Sequence, residues 1–379
     1  MAVKIVKADK YAVKRLTPLM RDALEELGVD LQTKRTALLK PNIVIPVKPA
    51  SAIITHPAVV EAVVAVLEEN GFEDIVVGEG AGLGADESEI FEVAGYTKLE
   101  RRGVRLVNLN KAERVEINWK YGRLRVPKIV AEADLYVNLP KMKTHGQTVV
   151  TLSLKNQKGI LSHADKMRFH KWGLHEPLVE LAKVVKPDLI VVDALEAMEG
   201  EGPLRGKKKK VGALVIGTNL LETDIACCEL MGINPNEVEH LTIGMREDIG
   251  AANPHLIAGS DALKTSFKRA NAAYGNILKV YSWRNPYACS MCIDSFTLAV
   301  KSALRDPKYW LTFLPKFAYL ALFKRIDIIQ GFHAHIPDKH GRIICLGDCT
   351  KELAKKNNSR YVKGCPPTSE EIIAALMRS

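Results

Sequence analysis

The sequence lacks the segments that send a protein into or across a membrane. No apolar run approaches membrane-spanning length, and the first residues, Met1–Lys7, do not form a charged-then-apolar signal region. The seven cysteines are an odd number, which argues against a disulfide framework and for metal binding by thiols in a reducing compartment. We therefore expect a cytoplasmic protein with no integral membrane segment.

Several nucleotide and hydrolase motifs are also missing. There is no Walker loop and no Gly-x-Ser-x-Gly. The glycines of Gly78-Glu-Gly-Ala-Gly-Leu-Gly84 follow a predicted strand, but their spacing does not give the Gly-x-Gly-x-x-Gly dinucleotide fingerprint. We interpret this segment as a loop of close backbone approach that lines a site.

The chain carries a net charge of +10, yet it has no signature of a nucleic-acid-binding fold. The basic run Lys207–Lys210 is predicted to be a solvated loop. Of the partners that suit a basic protein, this leaves an anionic small substrate or an acidic protein surface. The aromatic, basic segment Tyr309–Lys324 is interpreted as a buried helix pair broken at Pro315, with docking on a membrane surface or partner as the alternative.

Strand-like and helix-like segments alternate along most of the chain, which predicts an α/β core with a mostly parallel sheet and flanking helices. Two short runs, Val115–Trp119 and Gly122–Pro127, flank a turn and predict a hairpin. We expect two domains, a core over residues 1–275 and a smaller α/β module over residues 276–379 that carries the candidate metal ligands.

Four cysteines of the second domain stand in settings suited to metal binding: Cys289, Cys292, Cys349 and Cys365. Four thiolates suit a structural zinc ion or an iron–sulfur cluster. Zinc modules usually separate two short pairs by roughly 12–20 residues, and the gap between Cys292 and Cys349 is much longer, which favours the cluster. Ordinary reduced cysteines are the alternative without a metal.

The order Cys-x-x-Cys, Gly-x-Cys, Gly-Cys-Pro-Pro resembles the cluster-binding order of nickel–iron hydrogenase small subunits and is similar to that of the related subunit of NADH–quinone oxidoreductase. The resemblance covers roughly the last 90 residues. It implies that Cys289, Cys292, Cys349 and Cys365 bind one [4Fe–4S] cluster. Cys345, within an apolar run, is predicted to be a buried core thiol instead.

Polar residues are most concentrated after the predicted strand Leu135–Leu139. In open α/β sheets, ligands bind at the carboxyl ends of strands. Lysines and amides suit a carboxylate or phosphate, so the segment predicts an anion site. The candidate substrate-binding residues are Lys40, Asn42, Lys141, Lys155, Asn156 and Lys158.

Acid and base groups could be divided between neighbouring strand ends. Glu199 or Asp193 is the candidate base or metal ligand, and His145 is the candidate proton donor. Lys143 completes the predicted catalytic set. The histidines of residues 162–175 show no metal-ligand spacing and are interpreted as structural or solvent-exposed.

Several of these motifs together resemble a bacterial and archaeal family, domain of unknown function 362, over residues ~36–250. They are Leu39-Lys-Pro-Asn42, Thr55-His-Pro57, Leu139–His145, Ser153–Gly159, Asp193–Pro203 and Thr223-Asp224. Family members are often joined to iron–sulfur modules. The resemblance implies such a module here, although one single-cluster site replaces the duplicated ferredoxin often seen in the family.

We therefore expect an iron–sulfur redox enzyme that acts on a small anionic substrate, with one [4Fe–4S] cluster that delivers electrons or acts as a Lewis acid. A redox partner protein and a homodimer are expected, and nucleic acid is not. The alternatives are a non-catalytic electron carrier or cluster-bearing subunit of a larger complex, and a structural cluster on a transferase or ligand-binding protein.

Overall fold

A computed structural model describes residues 2–82, 85–257, 263–270, 276–283, 285 and 287–378. The chain divides into two compact units. The first comprises Met1–Lys166 and His175–Ala270, and the second comprises Met167–Leu174 and Asn271–Ser379. Nothing in the sequence signals that the short segment Met167–Leu174 belongs with the C-terminal unit.

The first unit is built around one large sheet. Its strands are β1 (Ala2–Lys7), β2 (Thr36–Pro41), β3 (Asp74–Glu79), β4 (Arg105–Asn108), β7 (Leu135–Leu139), β8 (Lys141–His145), β9 (Val149–Thr151), β10 (Leu189–Glu199), β11 (Lys207–Gly217) and β12 (His255–Ile257); β5 (Arg114–Trp119) and β6 (Gly122–Pro127) form a separate hairpin. The sheet order is β12-β1-β11-β10-β7-β2-β3-β4, and β8 pairs with both β10 and β9.

Most pairings in this sheet are parallel, including β2 with β3, β2 with β7, β3 with β4 and β7 with β10. Antiparallel pairs join β11 to β1 and β10, and β8 to β9. Strands buried on both faces read as continuous apolar runs, which is how they could be recognised in the sequence. The prediction of an α/β fold with a mostly parallel sheet is confirmed.

Helices cover both faces of the sheet, and each face has its own apolar core. The helices up to residue 246 begin and end as follows: α1 (Val13–Glu26), α2 (Pro57–Glu69), α3 (Ile90–Val93), α4 (Lys128–Glu132), α5 (Ser153–Asn156), α6 (His163–Lys171), α7 (His175–Val184), α8 (Leu220–Leu230) and α9 (Glu239–Arg246). The second half of α6 belongs to the second unit. In α2, Pro57 stands at the first helical position, where its missing N–H costs nothing, and the preceding His56 side chain caps the helix.

The second unit is a smaller α/β structure. Its strands β13 (Asn276–Ile277), β14 (Val280–Ser282), β15 (Ile326–Gln330), β16 (Arg342–Leu346) and β17 (Arg360–Val362) pair in sequence order, and β14 to β17 are parallel. Its helices are α10 (Ser290–Arg305), α11 (Phe313–Phe323), α12 (Lys351–Lys356) and α13 (Ser369–Met377). Among the residues described, no helix is long and apolar enough to cross a membrane.

The segment Tyr309–Lys324 differs from its interpretation as a buried helix pair. Pro315 lies in the first turn of a single helix, α11, and does not break it, because the N–H that proline lacks has no partner within the first turn of a helix. The helix is also not fully buried. Tyr319, Leu322 and Phe323 are all exposed.

Candidate functional site

The polar segment after β7 is a strand in its own right and is wholly buried. Pro140 separates β7 from β8, and its carbonyl accepts a hydrogen bond from Asp193 N at 2.9 Å. Beyond the proline, β8 continues beside β10, with Lys141 opposite Asp193 and Lys143 opposite Met198. The chain therefore places two lysines inside the protein rather than in a surface loop.

Lys40 is held by internal partners. Its ammonium lies 3.0 Å from the Glu79 carboxylate and also donates to the Pro41 carbonyl and Asn156 Oδ1. Both members of the ion pair are almost completely buried, at 0% and 2% exposure. Asn156 in turn donates to Asn138 Oδ1. All three donors of Lys40 are used, so the pair fixes the ends of β2 and β3.

Near the Lys40–Glu79 pair, Gly159 and Gly80 stand where a side chain has no room. A Cβ on Gly159 would overlap the Glu79 carboxylate and lie 2.5 Å from Lys40 Nζ. Gly80 faces the Gly159 carbonyl, which would lie 2.5 Å from a Cβ there. The predicted close-approach loop is thus formed by Gly78–Gly82, and Leu83 and Gly84 lie outside the described residues.

Lys141 and Asp193 form a second buried ion pair. Lys141 Nζ lies 2.9 Å from Asp193 Oδ2, and the exposures of the two side chains are 1% and 0%. The Tyr11 hydroxyl donates to Asp193 Oδ1 and accepts from Lys141, both at 2.9 Å. The backbone N–H of His56 donates to Asp193 Oδ2, also at 2.9 Å. Each oxygen of Asp193 is occupied by these internal donors.

Lys143 is a buried lysine without a carboxylate partner among the described ion pairs. Its Nζ donates to Asn42 Oδ1 and to the Ile53 carbonyl, both at 2.7 Å. Burial lowers its pKa well below the ordinary lysine value, and the positive charges of Lys155 and Lys141 lower it further. The amine is therefore neutral over a wider pH range than that of an ordinary lysine.

Two further polar residues are linked to Lys143, Lys155 by the effect of its charge and Thr151 by strand pairing. Thr151 is directly opposite Lys143 in the antiparallel β8–β9 pair, so the two side chains share one face. Thr151 is 4% exposed, and its hydroxyl oxygen has no hydrogen-bond partner among the described residues. Lys155 is half-buried, and desolvation lowers its pKa to about 8. No ion pair or hydrogen bond to Lys155 occurs within the described part of the chain.

The other predicted site residues are His145, Glu199 and Lys158. His145 is buried, and its Nδ1 accepts hydrogen bonds from the N–H groups of Gln147 and Thr148 at 3.0 and 3.2 Å. The neutral ring therefore carries its proton on Nε2. Glu199 accepts from Lys209 Nζ at 3.1 Å and from Lys268 N at 3.0 Å, and these donors lower its pKa despite partial burial. Lys158 is half-buried.

Glu199 therefore contacts Lys209 of β11 and the backbone of Lys268 instead of Lys143. Its neighbour Met198 is the residue paired with Lys143, and successive side chains of a strand point to opposite faces. The structure brings Lys143 together with Asn42, Lys141 with Asp193, and Lys40 with Asn156. It does not bring Glu199 into any of these groups.

Lys166 was missed by the sequence reasoning. It donates to the carbonyls of Gly80 and Ala81 and to Asn110, and burial lowers its pKa to about 7. It thereby ties the glycine-rich loop to α6. In the sequence Lys166 stands among the histidines of residues 162–175, and nothing there indicates this role. Its acceptors include backbone carbonyls far away in the chain.

A pair of histidines was missed as well. His175 Nδ1 lies 3.4 Å from His240 Nδ1, and His175 Nε2 lies 3.4 Å from Glu239. Burial lowers the pKa of both rings, and the charge of Lys155 adds to the shift. Two imidazoles that remain neutral at physiological pH thus lie within electrostatic reach of Lys155.

In the second unit, the four candidate cysteines follow the carboxyl ends of parallel strands. Cys289 follows β14, Cys349 follows β16, and Cys365 follows β17. Cys292 lies in the first turn of α10, where its N–H donates to Cys289 Sγ at 3.3 Å. The pKa of Cys292 is raised well above its usual value by the hydrogen bond to Cys289, by burial, and by the charges of the other three thiols. Cys292 is therefore within electrostatic reach of the other three thiols.

The backbone around these thiols is closely fitted. A Cβ on Gly347, which has a φ of 88°, would lie 2.9 Å from Cys292 Sγ and 3.6 Å from Cys349 Sγ. Burial raises the pKa of Cys349 to about 11, and the backbone N–H of Gly331, directly after β15, acts in the opposite direction. Cys345 packs in β16 with Ile329 and Ala354. In the described part of the chain, no three His, Cys, Asp or Glu side chains are arranged so as to hold a metal ion.

Residues 37–229 match the family model described as Domain of unknown function (DUF362). The chain belongs to this family. The predicted membership is thereby confirmed over residues 37–229. The resemblance of the cysteine order to hydrogenase small subunits stays a prediction.

This DUF362 protein is 28% identical over 261 residues to a thylakoid-associated protein of Synechocystis sp., with 66% of this chain and 79% of the relative covered. Among solved structures it is similar to the lactate racemase apoprotein from Thermoanaerobacterium thermosaccharolyticum. That likeness has a TM-score of 0.44 and 13% identity, and it covers 99% of this chain and 79% of the other. It is too distant to support an inference about activity.

Proposed function

We propose that this DUF362 protein is an enzyme that binds a small carboxylate or phosphate beside β8 and uses the Lys143 amine as a base or nucleophile. The C-terminal unit is proposed to hold one [4Fe–4S] cluster, which makes the protein an iron–sulfur enzyme. The observation that carries the first part is the buried Lys143 amine with a lowered pKa and no carboxylate partner among the described residues.

The hydrogen bonds of Lys143 support this role. A neutral amine has two N–H groups and one lone pair, and both N–H groups are used by Asn42 Oδ1 and the Ile53 carbonyl. The lone pair of the Lys143 nitrogen occupies the remaining tetrahedral direction and points away from both acceptors. Desolvation beside another cation is an established way to activate a lysine. Asn42 thus positions the amine rather than contacting substrate.

Lys155 and Thr151 are suited to hold an anion next to that amine. Lys155 offers an ammonium, and Thr151 offers a buried hydroxyl without a partner among the described residues. A carboxylate or phosphate oxygen would satisfy both groups. Lys40, Lys141, Asn156 and Asp193 support the site by holding β2, β8 and β10 in place.

The four cysteines are suited to a [4Fe–4S] cluster by donor type, since such clusters are held by four thiolates. Cys289, Cys292, Cys349 and Cys365 would supply the thiolates, Gly347 leaves room beside two of them, and the Gly331 N–H would stabilise thiolate charge on Cys349. When bound, such a cluster supplies single electrons, or a Lewis acid if one iron remains open. A redox partner protein, a homodimer and a reducing cytoplasm complete the proposal.

Trapping with an anionic carbonyl compound tests the role of Lys143. Glyoxylate forms an imine with a neutral amine by loss of water, and cyanoborohydride reduces that imine to a stable adduct. At pH 7 we expect peptide mapping to find Lys143 labelled roughly tenfold faster than the exposed Lys111. Equal labelling rates at the two lysines would contradict the proposal.

Anion binding should depend on Lys155 and on pH. Replacing Lys155 by methionine should weaken phosphate or oxalate binding roughly 10–100-fold, because one charge-assisted hydrogen bond is lost. In the unmodified protein the affinity should be full at low pH and decline as pH rises through about 8, where Lys155 loses its proton. Isothermal titration at pH 6.5 to 9.5 measures both effects, with Lys111→Met as the control. A flat pH profile would remove Lys155 from the site.

A further inference from the structure

The C-terminal unit exposes a patch of large apolar side chains, which we call the α10–α11 face. It consists of Leu304, Trp310, Leu311, Tyr319, Leu322 and Phe323, which lie at the end of α10, in the connection and on α11. Leu311 in the connection is 91% exposed and Phe323 is 65% exposed. Single exposed apolar residues are normal on a protein surface, but six large ones within residues 304–323 indicate an interaction site.

Helix α11 is apolar on two sides. Its inner side packs Phe313, Phe317 and Leu320 into the core of the unit. Its outer side carries Tyr319, Leu322 and Phe323, which at positions i, i+3 and i+4 form one stripe. The inner stripe accounts for the folding of this helix. The outer stripe has no such explanation within the unit.

Basic residues alternate with these apolar residues along the chain. Lys301, Arg305, Lys308, Lys316 and Lys324 lie on α10, on α11 or directly beside them. The one carboxylate between residues 295 and 326 is Asp306, and it already pairs with Lys308. The patch is therefore complementary to a surface that is apolar in its interior and negatively charged at its edge.

We infer that the α10–α11 face docks on an anionic lipid bilayer. Leu311 and Phe323 would insert among the acyl chains, Trp310 and Tyr319 would lie at headgroup level, and the lysines would contact lipid phosphates. An acidic protein would match the charges, but the nearly complete exposure of Leu311 in a helix connection suits insertion into a soft phase. This inference is independent of the proposed enzymatic function.

Vesicle co-sedimentation tests the inference with the full-length protein. We expect binding to vesicles of phosphatidylcholine with phosphatidylglycerol and little binding to phosphatidylcholine alone. A Leu311→Gln, Phe323→Gln double variant should lower the partition coefficient roughly tenfold or more, because two apolar side chains can no longer be buried. Val184→Gln, at an exposed apolar residue of the first unit, should leave the binding unchanged.

Three results would overturn the inference. The first is that the double variant and the unmodified protein sediment equally with vesicles, and the second is that the protein binds both vesicle types equally. The third is that neither protein binds lipid, while the unmodified protein is a dimer and the double variant is a monomer. The last result would assign the face to a second copy of the chain. Circular dichroism verifies that the variant is folded. A blue shift of tryptophan emission on vesicle addition, lost in Trp310→Phe, would support insertion at this site.

Discussion

Replacing Asp193 by alanine should lower the free energy of unfolding by about 4 kcal/mol, because it leaves the Lys141 charge buried without its partner. The change also removes the acceptor for the Tyr11 hydroxyl and the His56 N–H. A buried ion pair adds little net stability over an apolar pair, but breaking it on one side is costly. Urea unfolding at pH 7, followed by circular dichroism, measures the loss.

Two further variants separate this explanation from a general effect of mutation. Asp74→Ala removes an exposed ion pair with Arg105 and should cost less than about 1 kcal/mol. Combining Lys141→Met with Asp193→Leu removes both charges and should recover much of the stability lost in Asp193→Ala. If the double variant is as unstable as the single one, the buried charge is not the cause.

Replacing Cys349 by serine should strip the proposed cluster or convert it to a form with less iron, since one of four thiolate ligands is lost. Cys345→Ser, four residues earlier in β16, should leave the iron and sulfide content unchanged, because Cys345 packs against Ile329 and Ala354. Anaerobic purification with iron and sulfide determination, and an EPR spectrum of the dithionite-reduced protein, measure both variants.

The pair of cysteine variants tests the ligand assignment itself. Equal loss of cluster from both would show that the assignment is wrong. Loss of folded structure in Cys349→Ser, with the redox signal of the remaining protein intact, would instead favour a structural cluster over electron transfer. Stable co-purification with another subunit would favour the electron-carrier alternative over an enzyme.

The central strands of the parallel sheet, β2, β3 and β7, could be predicted because they are buried on both faces. Leu135–Leu139 reads as an apolar run, and the structure gives β7 the same bounds. The hairpin formed by β5 and β6 was likewise visible from its turn. These signals are local, since a strand's apolar pattern lies within five or six consecutive residues.

The interior of the site could not be predicted in the same way. Lys141–His145 is polar in sequence, and only its partners make it a buried strand. Lys141 depends on Asp193 and Lys40 depends on Glu79, residues far apart in the chain. The direction in which Glu199 points is set by the pairing of β10 with β8, which no local pattern reveals. Long-range charge pairing was therefore the missing information.

The two buried ion pairs also bear on how the protein responds to heat. Water solvates charged groups less favourably as temperature rises, so the cost of burying Lys40 with Glu79 and Lys141 with Asp193 decreases on warming. Hydrophobic burial gains no comparable advantage in that range. The strand ends that these pairs hold should therefore be among the last parts of the first unit to loosen when the protein is heated.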